Sequence, residues 1–186
     1  MQKNTINRFV LSLIPLLSFF YTSIYYFILD ESFQIFWLCN ILNFVLFLAI
    51  ITHNLTQIWS VTILLIIGTP LWLYEDIIVH QVFRWNAFFI HVIASIIGLI
   101  VMKQNEPPKF VALTSICWLI VGFLLARLCT DDSHNVNLAF FVYPTLTKVF
   151  PHFWLYSIFN FVSFSIGILL LNKILKKIIP VQKLSH

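Results

Sequence analysis

Six apolar runs fill most of this 186-residue chain, and the solvent that suits so many in succession is the lipid bilayer. They are Phe9–Leu29, Phe33–Ile51, Ile58–Tyr74, Asn86–Val101, Phe110–Leu128 and Phe153–Leu171. Each has about 16–21 residues, enough or nearly enough to cross roughly 30 Å of hydrocarbon. Only 10% of residues are charged and the mean hydropathy is +0.94. A soluble domain carries about 25% charge. The expected fold is therefore all-α: a polytopic membrane protein, one transmembrane domain over residues 1–186, with six helices in a bundle. Four glycines against 20 Phe, 6 Trp and 6 Tyr imply that bulky side chains, more than glycine contacts, fill that bundle.

Most connections are short. Asp30 and Glu31 make a tight first turn, and Pro107-Pro108 separate the fourth run from the fifth. The segment from Cys129 to His152 is longer, and its apolar middle, Leu138–Val149, is expected to form a short re-entrant or interfacial helix. The N-terminus lacks a small-x-small cleavage site, so the first run reads as a retained span. Counting alternate ends, Lys3, Arg8, Lys103, Lys109, Lys173, Lys176, Lys177 and Lys183 face Arg84, Arg127 and Lys148. That bias places both termini in the cytoplasm. It also discounts the Asn54-Leu-Thr56 sequon, which falls on the inner side. The net charge of +4 comes from these flanks and gives no nucleic-acid surface. There is no internal repeat.

Cys39 and His91 each lie five or six residues into an expected span, about 8–9 Å below the same outer face. Other polar groups share that half. Asn40 and Asn43 lie on span two, Ser95 on span four, and Asn160 and Ser163 on span six. Glu75, Asp76, His80 and Arg84 follow span three, and Arg127 ends span five. The long outer loop carries Asp131, Asp132, His134, Asn135 and Asn137. Cys39 and Asn43 share a helix face, as do His91 and Ser95, because each pair is four residues apart.

A buried thiol needs a base within hydrogen-bond reach before it attacks an ester, and His91 is the histidine well inside a span. Asn40, Asn43 or Asn160 amides would supply donors to an oxyanion. Glu75, Asp76, His80, Arg84, Asp131, Asp132 and His134 would form the mouth. Plainer readings stand beside these. A cysteine in an apolar helix serves as a small hydrophobe, and intramembrane asparagines serve as interhelical hydrogen-bond glue. Glu75, Asp76 and Arg84 also read as a solvated boundary with a local ion pair. The cysteines Cys39, Cys117 and Cys129 form no metal or disulfide spacing, Asp-Asp-Ser-His lacks a helical partner pair, and no histidines pair at one depth for haem. No metal or cofactor is expected.

From Trp59 to Ile174 the chain resembles the six-span androgen-induced and androgen-dependent hydrolases of fatty acid esters of hydroxy fatty acids (FAHFA). The likeness rests on Leu71-Trp-Leu-Tyr-Glu-Asp76, Trp85-Asn-Ala-Phe-Phe-Ile-His91, Leu113-Thr-Ser-Ile-Cys-Trp118 and Val142-Tyr-Pro-Thr-Leu146. Phe36-Trp-Leu-Cys39-Asn40 is similar both to that group and to the Leu-Cys-Asp segment of the YwaF-like membrane proteins and their acyltransferase relatives. The resemblance implies a nucleophile on span two and a histidine on span four. The nucleophile is threonine in the hydrolases and cysteine in the acyltransferases, so Cys39 agrees with the second branch. A register one residue on would put Asn40 there. His91 matches the histidine.

The expected activity is that of an intramembrane lipid-ester hydrolase or acyltransferase, with a membrane lipid or fatty acyl ester as substrate and the bilayer as partner. Two other readings remain: a small membrane transporter or substrate-binding module, and a catalytically inactive scaffold of the same fold. Low glycine, richness in Asn, Lys and Ile, and the positive-inside bias suit a bacterial inner (cytoplasmic) membrane.

Overall fold

The computed structural model describes residues 2–134, 136–140, 142 and 146–179. Among these residues the regular elements are all helical, with no strand. The chain runs through α1 (Gln2–Ile28), α2 (Leu38–Ile51), α3 (Leu55–Val79), α4 (Trp85–Met102), α5 (Val111–Cys129) and α6 (Phe153–Ile178). Five of the six are long and apolar enough to cross a membrane, which fits a helical membrane protein.

The exception is α2, whose 14 residues reach only about 21 Å. The second span expected over Phe33–Ile51 is split. Ser32–Phe36 forms a 3₁₀ turn, Trp37 is extended (φ −59°, ψ 132°), and the α-helix begins at Leu38. Side-chain amides hold this break. Asn40 Nδ2 donates to the Gln34 carbonyl at 2.5 Å. Asn137 Oδ1 accepts from the Leu38 N–H at 2.8 Å, while its Nδ2 donates to the Phe36 and Gly122 carbonyls at 2.9 Å each. Asn137 does this from a left-handed conformation (φ 53°), which asparagine tolerates better than most residues.

The other boundaries differ less. Helix α6 continues past Leu171 to Ile178, and α3 continues past Tyr74 to Val79. The stretch Leu138–Val149 forms 3₁₀ and other turns rather than an α-helix among its described residues. Asn135 and residues 143–145 of the Val142-Tyr-Pro-Thr-Leu146 motif lie outside the described residues.

Helix α3 is the centre of the bundle and packs on α2, α4, α5 and α6. Trp59, Val61, Ile63 and Leu65 on α3 share one buried cluster with Leu46 and Ile50 of α2 and Ala94 and Val101 of α4. In lipid this contact is held by dispersion and interhelical hydrogen bonds rather than by exclusion of water. Ser60 Oγ donates to the Val111 carbonyl at 3.0 Å, and Trp118 Nε1 donates to Gln57 Oε1 at 2.7 Å, joining α3 to α5. Three of the four glycines mark close crossings, Gly68 of α3 against His91 of α4 among them. A Cβ on Gly98 would overlap the Thr62 side chain, and one on Gly122 would press on Leu38.

The α1–α2, α3–α4 and α5–α6 connections gather at one end of the bundle. Phe33 stacks on His134 (centroids 3.5 Å apart, planes 7° apart), and Tyr21 of α1 meets Phe89 of α4 edge to face at 6.4 Å.

Candidate functional site

The central helix α3 and its neighbour α4 both lose their α-helical register at that end. The last turn of α3, Tyr74–Val79, is π-helical, and so is Phe89–Ile93 within α4. Proline at position 70 lacks the N–H that would bond the Ile66 carbonyl, and the wider turn begins four residues further on. Wide turns of this kind recur at functional sites. Here one carries Glu75 and Asp76 and the other carries His91.

Three residues of α3, spaced by four, build the surroundings of His91: Gly68 and Trp72 against the ring and Asp76 behind Trp72. Gly68 lies against the imidazole: a Cβ there would stand 3.0 Å from Cε1 and 3.2 Å from Nδ1. Trp72 stacks on the ring (centroids 5.7 Å, planes 5° apart). Trp72 Nε1 in turn donates to Asp76 Oδ2 at 2.5 Å, and Asp76 Oδ1 faces Arg84 Nε at 3.5 Å. Asp76 is only 2% exposed, so the ion pair expected at a solvated boundary exists but its carboxylate is buried. Trp72 and Arg84 are what make that burial tolerable, since an unpaired carboxylate there would be costly. Glu75 and His80 form an outer, partly exposed contact at 3.1 Å.

His91 itself is 7% exposed; its ring stands beside the Leu65 backbone, and Nδ1 makes no hydrogen bond of good geometry. Ser95, one turn on, is buried with an unpartnered Oγ. On α2, Asn43 donates through Nδ2 to its own helix at the Cys39 carbonyl (2.9 Å) and across to the Ile90 carbonyl (3.3 Å). Both carbonyls need donors, which fixes the amide orientation and leaves Oδ1 as an unpartnered acceptor. Asn43 therefore ties the Cys39 turn to the His91 turn, and its amide hydrogens are already used. Asn40 is engaged with Gln34 in the same way.

Cys39 lies in the first turn of α2, half-buried at the edge of the core, and the next N–H, that of Asn40, donates to the Trp37 carbonyl at 2.9 Å. No hydrogen bond joins its sulfur to the His91 ring among the described residues. Tyr26 of α1, also buried, lies within electrostatic reach of Cys39 and beside Asn86 and Arg84. Thr22, one turn before Tyr26, has a buried Oγ1 without a partner, as has Nδ2 of Asn86.

The remaining expected residues stand apart. Asn160 is on α6, which packs on α3 and α5, and Ser163 is exposed on the same helix. Asp131, Asp132 and His134 are exposed beyond the end of α5. The Ser133 N–H donates to Asp131 Oδ1 at 3.0 Å, and this bond holds the Asp131 carboxyl below the usual aspartate range.

Sequence reading gave no role to Gly68, Thr22 and Tyr26, and quoted Trp72 and Asn86 only within the resemblance motifs. The spacing of four from Gly68 to Trp72 to Asp76, and from Thr22 to Tyr26, is the signal that would have found all but Asn86. No family model, curated protein or solved structure matches the chain.

Proposed function

We propose that this protein is an intramembrane lipid-ester hydrolase or acyltransferase, with Cys39 as nucleophile and His91 as general base. The observation that carries this reading is the buried His91 Nδ1, unpartnered and tied through Asn43 to the turn that presents Cys39. His91 takes the thiol proton as Sγ attacks the acyl carbonyl; the ester C–O bond breaks, and the imidazolium returns the proton to the leaving alkoxide. Water or a lipid hydroxyl then takes the acyl group from the thioester. Catalytic contacts often close only around substrate, so an ester seated between the two side chains would complete the pair. The backbone N–H of Cys39, in the first turn of α2, suits the oxyanion better than the Asn40 and Asn43 amides, which donate to Gln34, Cys39 and Ile90.

The same reading places six spans in the bilayer, the short α2 included, with both termini at the cytoplasmic side by the Lys and Arg bias. A bacterial inner membrane suits that arrangement.

A second reading, a small transporter or substrate-binding module, is favoured by the two π-helical interruptions on neighbouring helices. Discontinuous spans with buried, unpartnered polar atoms between them suit a carried solute as well. Labelling with a fluorophosphonate or acyl-thiol probe separates the two. The enzyme reading expects labelling to fall about 100-fold or more in Cys39→Ala and His91→Ala. Equal labelling of wild type and both variants contradicts it, and proteoliposome uptake that survives Cys39→Ser supports the transporter.

A further inference from the structure

Arg127, two residues before the end of α5, is held by rings rather than by a carboxylate. Its guanidinium carbon lies 5.7 Å from the centroid of Phe123, 5.3 Å from Phe140 and 5.6 Å from Phe153. These three rings come from α5, the following loop and the first residue of α6, so the fold itself converges on the cation. Among the described residues no carboxylate stands within ion-pair distance of Arg127. Aromatic faces attract the guanidinium but accept none of its five N–H hydrogens in the way an oxygen does. The site thus fixes an arginine fork and leaves its donors for something else.

An open cleft runs from that fork to the next turn, lined by Arg127, Asp132, Ser133 and Phe140. The two neighbouring acids touch each other but face different ways. Asp131 is committed to the Ser133 N–H within the turn, whereas Asp132 lines the cleft. The cleft therefore offers a cation and an anion side by side, at the end of a 19-residue apolar helix. On the two helices that supply Phe123 and Phe153, Leu124 and Leu128 of α5 and Trp154 and Ile158 of α6 are exposed. A ligand that matches this has an anion and a cation at one end and apolar chains at the other.

We propose that this cleft binds the headgroup of an amine-bearing zwitterionic phospholipid. The phosphate sits on the Arg127 fork, the ammonium on Asp132, and the acyl chains lie along α5 and α6. Guanidinium favours phosphate because its planar donors reach two oxygens at once. The Asp132 carboxylate then selects the primary ammonium and disfavours a lipid that is anionic overall. The site is separate from Cys39 and His91 and does not rest on their chemistry.

Native mass spectrometry of the full chain in detergent, titrated with phosphatidylethanolamine, phosphatidylglycerol or free glycerophosphoethanolamine, tests this. The expected result is one phosphatidylethanolamine bound at about one-tenth of the concentration needed for phosphatidylglycerol, with the chainless headgroup binding far more weakly. Arg127→Gln should abolish that adduct. Asp132→Asn, a change at an exposed position, should keep lipid binding but erase the preference. Equal binding of the two lipids to wild type, or an unchanged preference in either variant, overturns the proposal. A chainless headgroup that binds as tightly as the lipid also overturns it, since the site would then take a soluble phosphoester.

Discussion

Asp76 and Asp132 sit at the same end of the bundle, each near an arginine, yet their surroundings are opposite. Asp76 is buried and saturated, with Trp72 Nε1 on one oxygen and Arg84 facing the other. Asp132 is exposed in an open cleft, and the neighbouring Arg127 is held by phenylalanine rings instead. Saturation makes the first cluster a fixture: it holds Trp72 flat on His91 and positions the imidazole. The second cluster is fixed by apolar contacts that use none of its hydrogen bonds, so its charges stay available. Two acid–arginine neighbourhoods of similar composition thus divide into one that positions and one that receives.

The sharpest way to break this contrast is to truncate both acids. Asp76→Ala should destabilise by about 2–3 kcal/mol, because a charged hydrogen-bond partner of Trp72 and Arg84 is lost within the bundle. Asp132→Ala should stay within about 0.5 kcal/mol. Reversible unfolding in mixed detergent measures both, and equal costs would erase the distinction. Asn137→Ala comes next. It removes hydrogen bonds to Leu38, Phe36 and Gly122 and puts alanine at positive φ, for an expected cost of about 2 kcal/mol by the same assay. A neutral result would mean that the Trp37 break does not depend on this amide.

Gly68→Ala sharpens the positioning half. The added methyl displaces the His91 ring by a few tenths of an ångström and should lower ester turnover about tenfold with little change in unfolding. Gly167→Ala is the control. Its Cβ would lie 3.7 Å from Ile67 Cδ1, an ordinary contact, and activity should not move. The smallest effect belongs to Asp131. Its carboxyl titrates below the usual aspartate range when folded, so its contribution is present above the unfolded value and is lost as pH falls through the folded one. The wild-type advantage over Asp131→Asn in thermal unfolding should therefore be small at neutral pH and vanish in acid. An advantage that grows in acid would contradict the Ser133 hydrogen bond as its cause.

Much of the fold was legible because hydropathy is a long-range signal. Five of the six apolar runs are helices of spanning length, displaced at their ends by a few residues. The second run misled because Phe33–Ile51 carries no charge and is mostly apolar, and hydropathy is blind to the amide contacts from Asn40 and Asn137 that stop the helix at Trp37. The site was partly legible for a related reason. Pairs four residues apart, Cys39 with Asn43 and His91 with Ser95, are visible as helix faces. The π-helical turn in α4 contains neither Gly nor Pro, so nothing in Phe89–Ile93 announces it. Nor does composition reveal that the Asn43 amide is spent on two carbonyls, which depends on how closely α2 and α4 approach.

The central proposal is that an acyl group passes through Cys39 with His91 as its base. Intact mass spectrometry of the full chain, acid-quenched during turnover of a p-nitrophenyl fatty ester, tests it most directly. A single acyl adduct on wild type, removed by neutral hydroxylamine and absent from both Cys39→Ala and His91→Ala, is the predicted result. Substrate consumed at the wild-type rate by Cys39→Ala, or an adduct that persists in that variant, would contradict it.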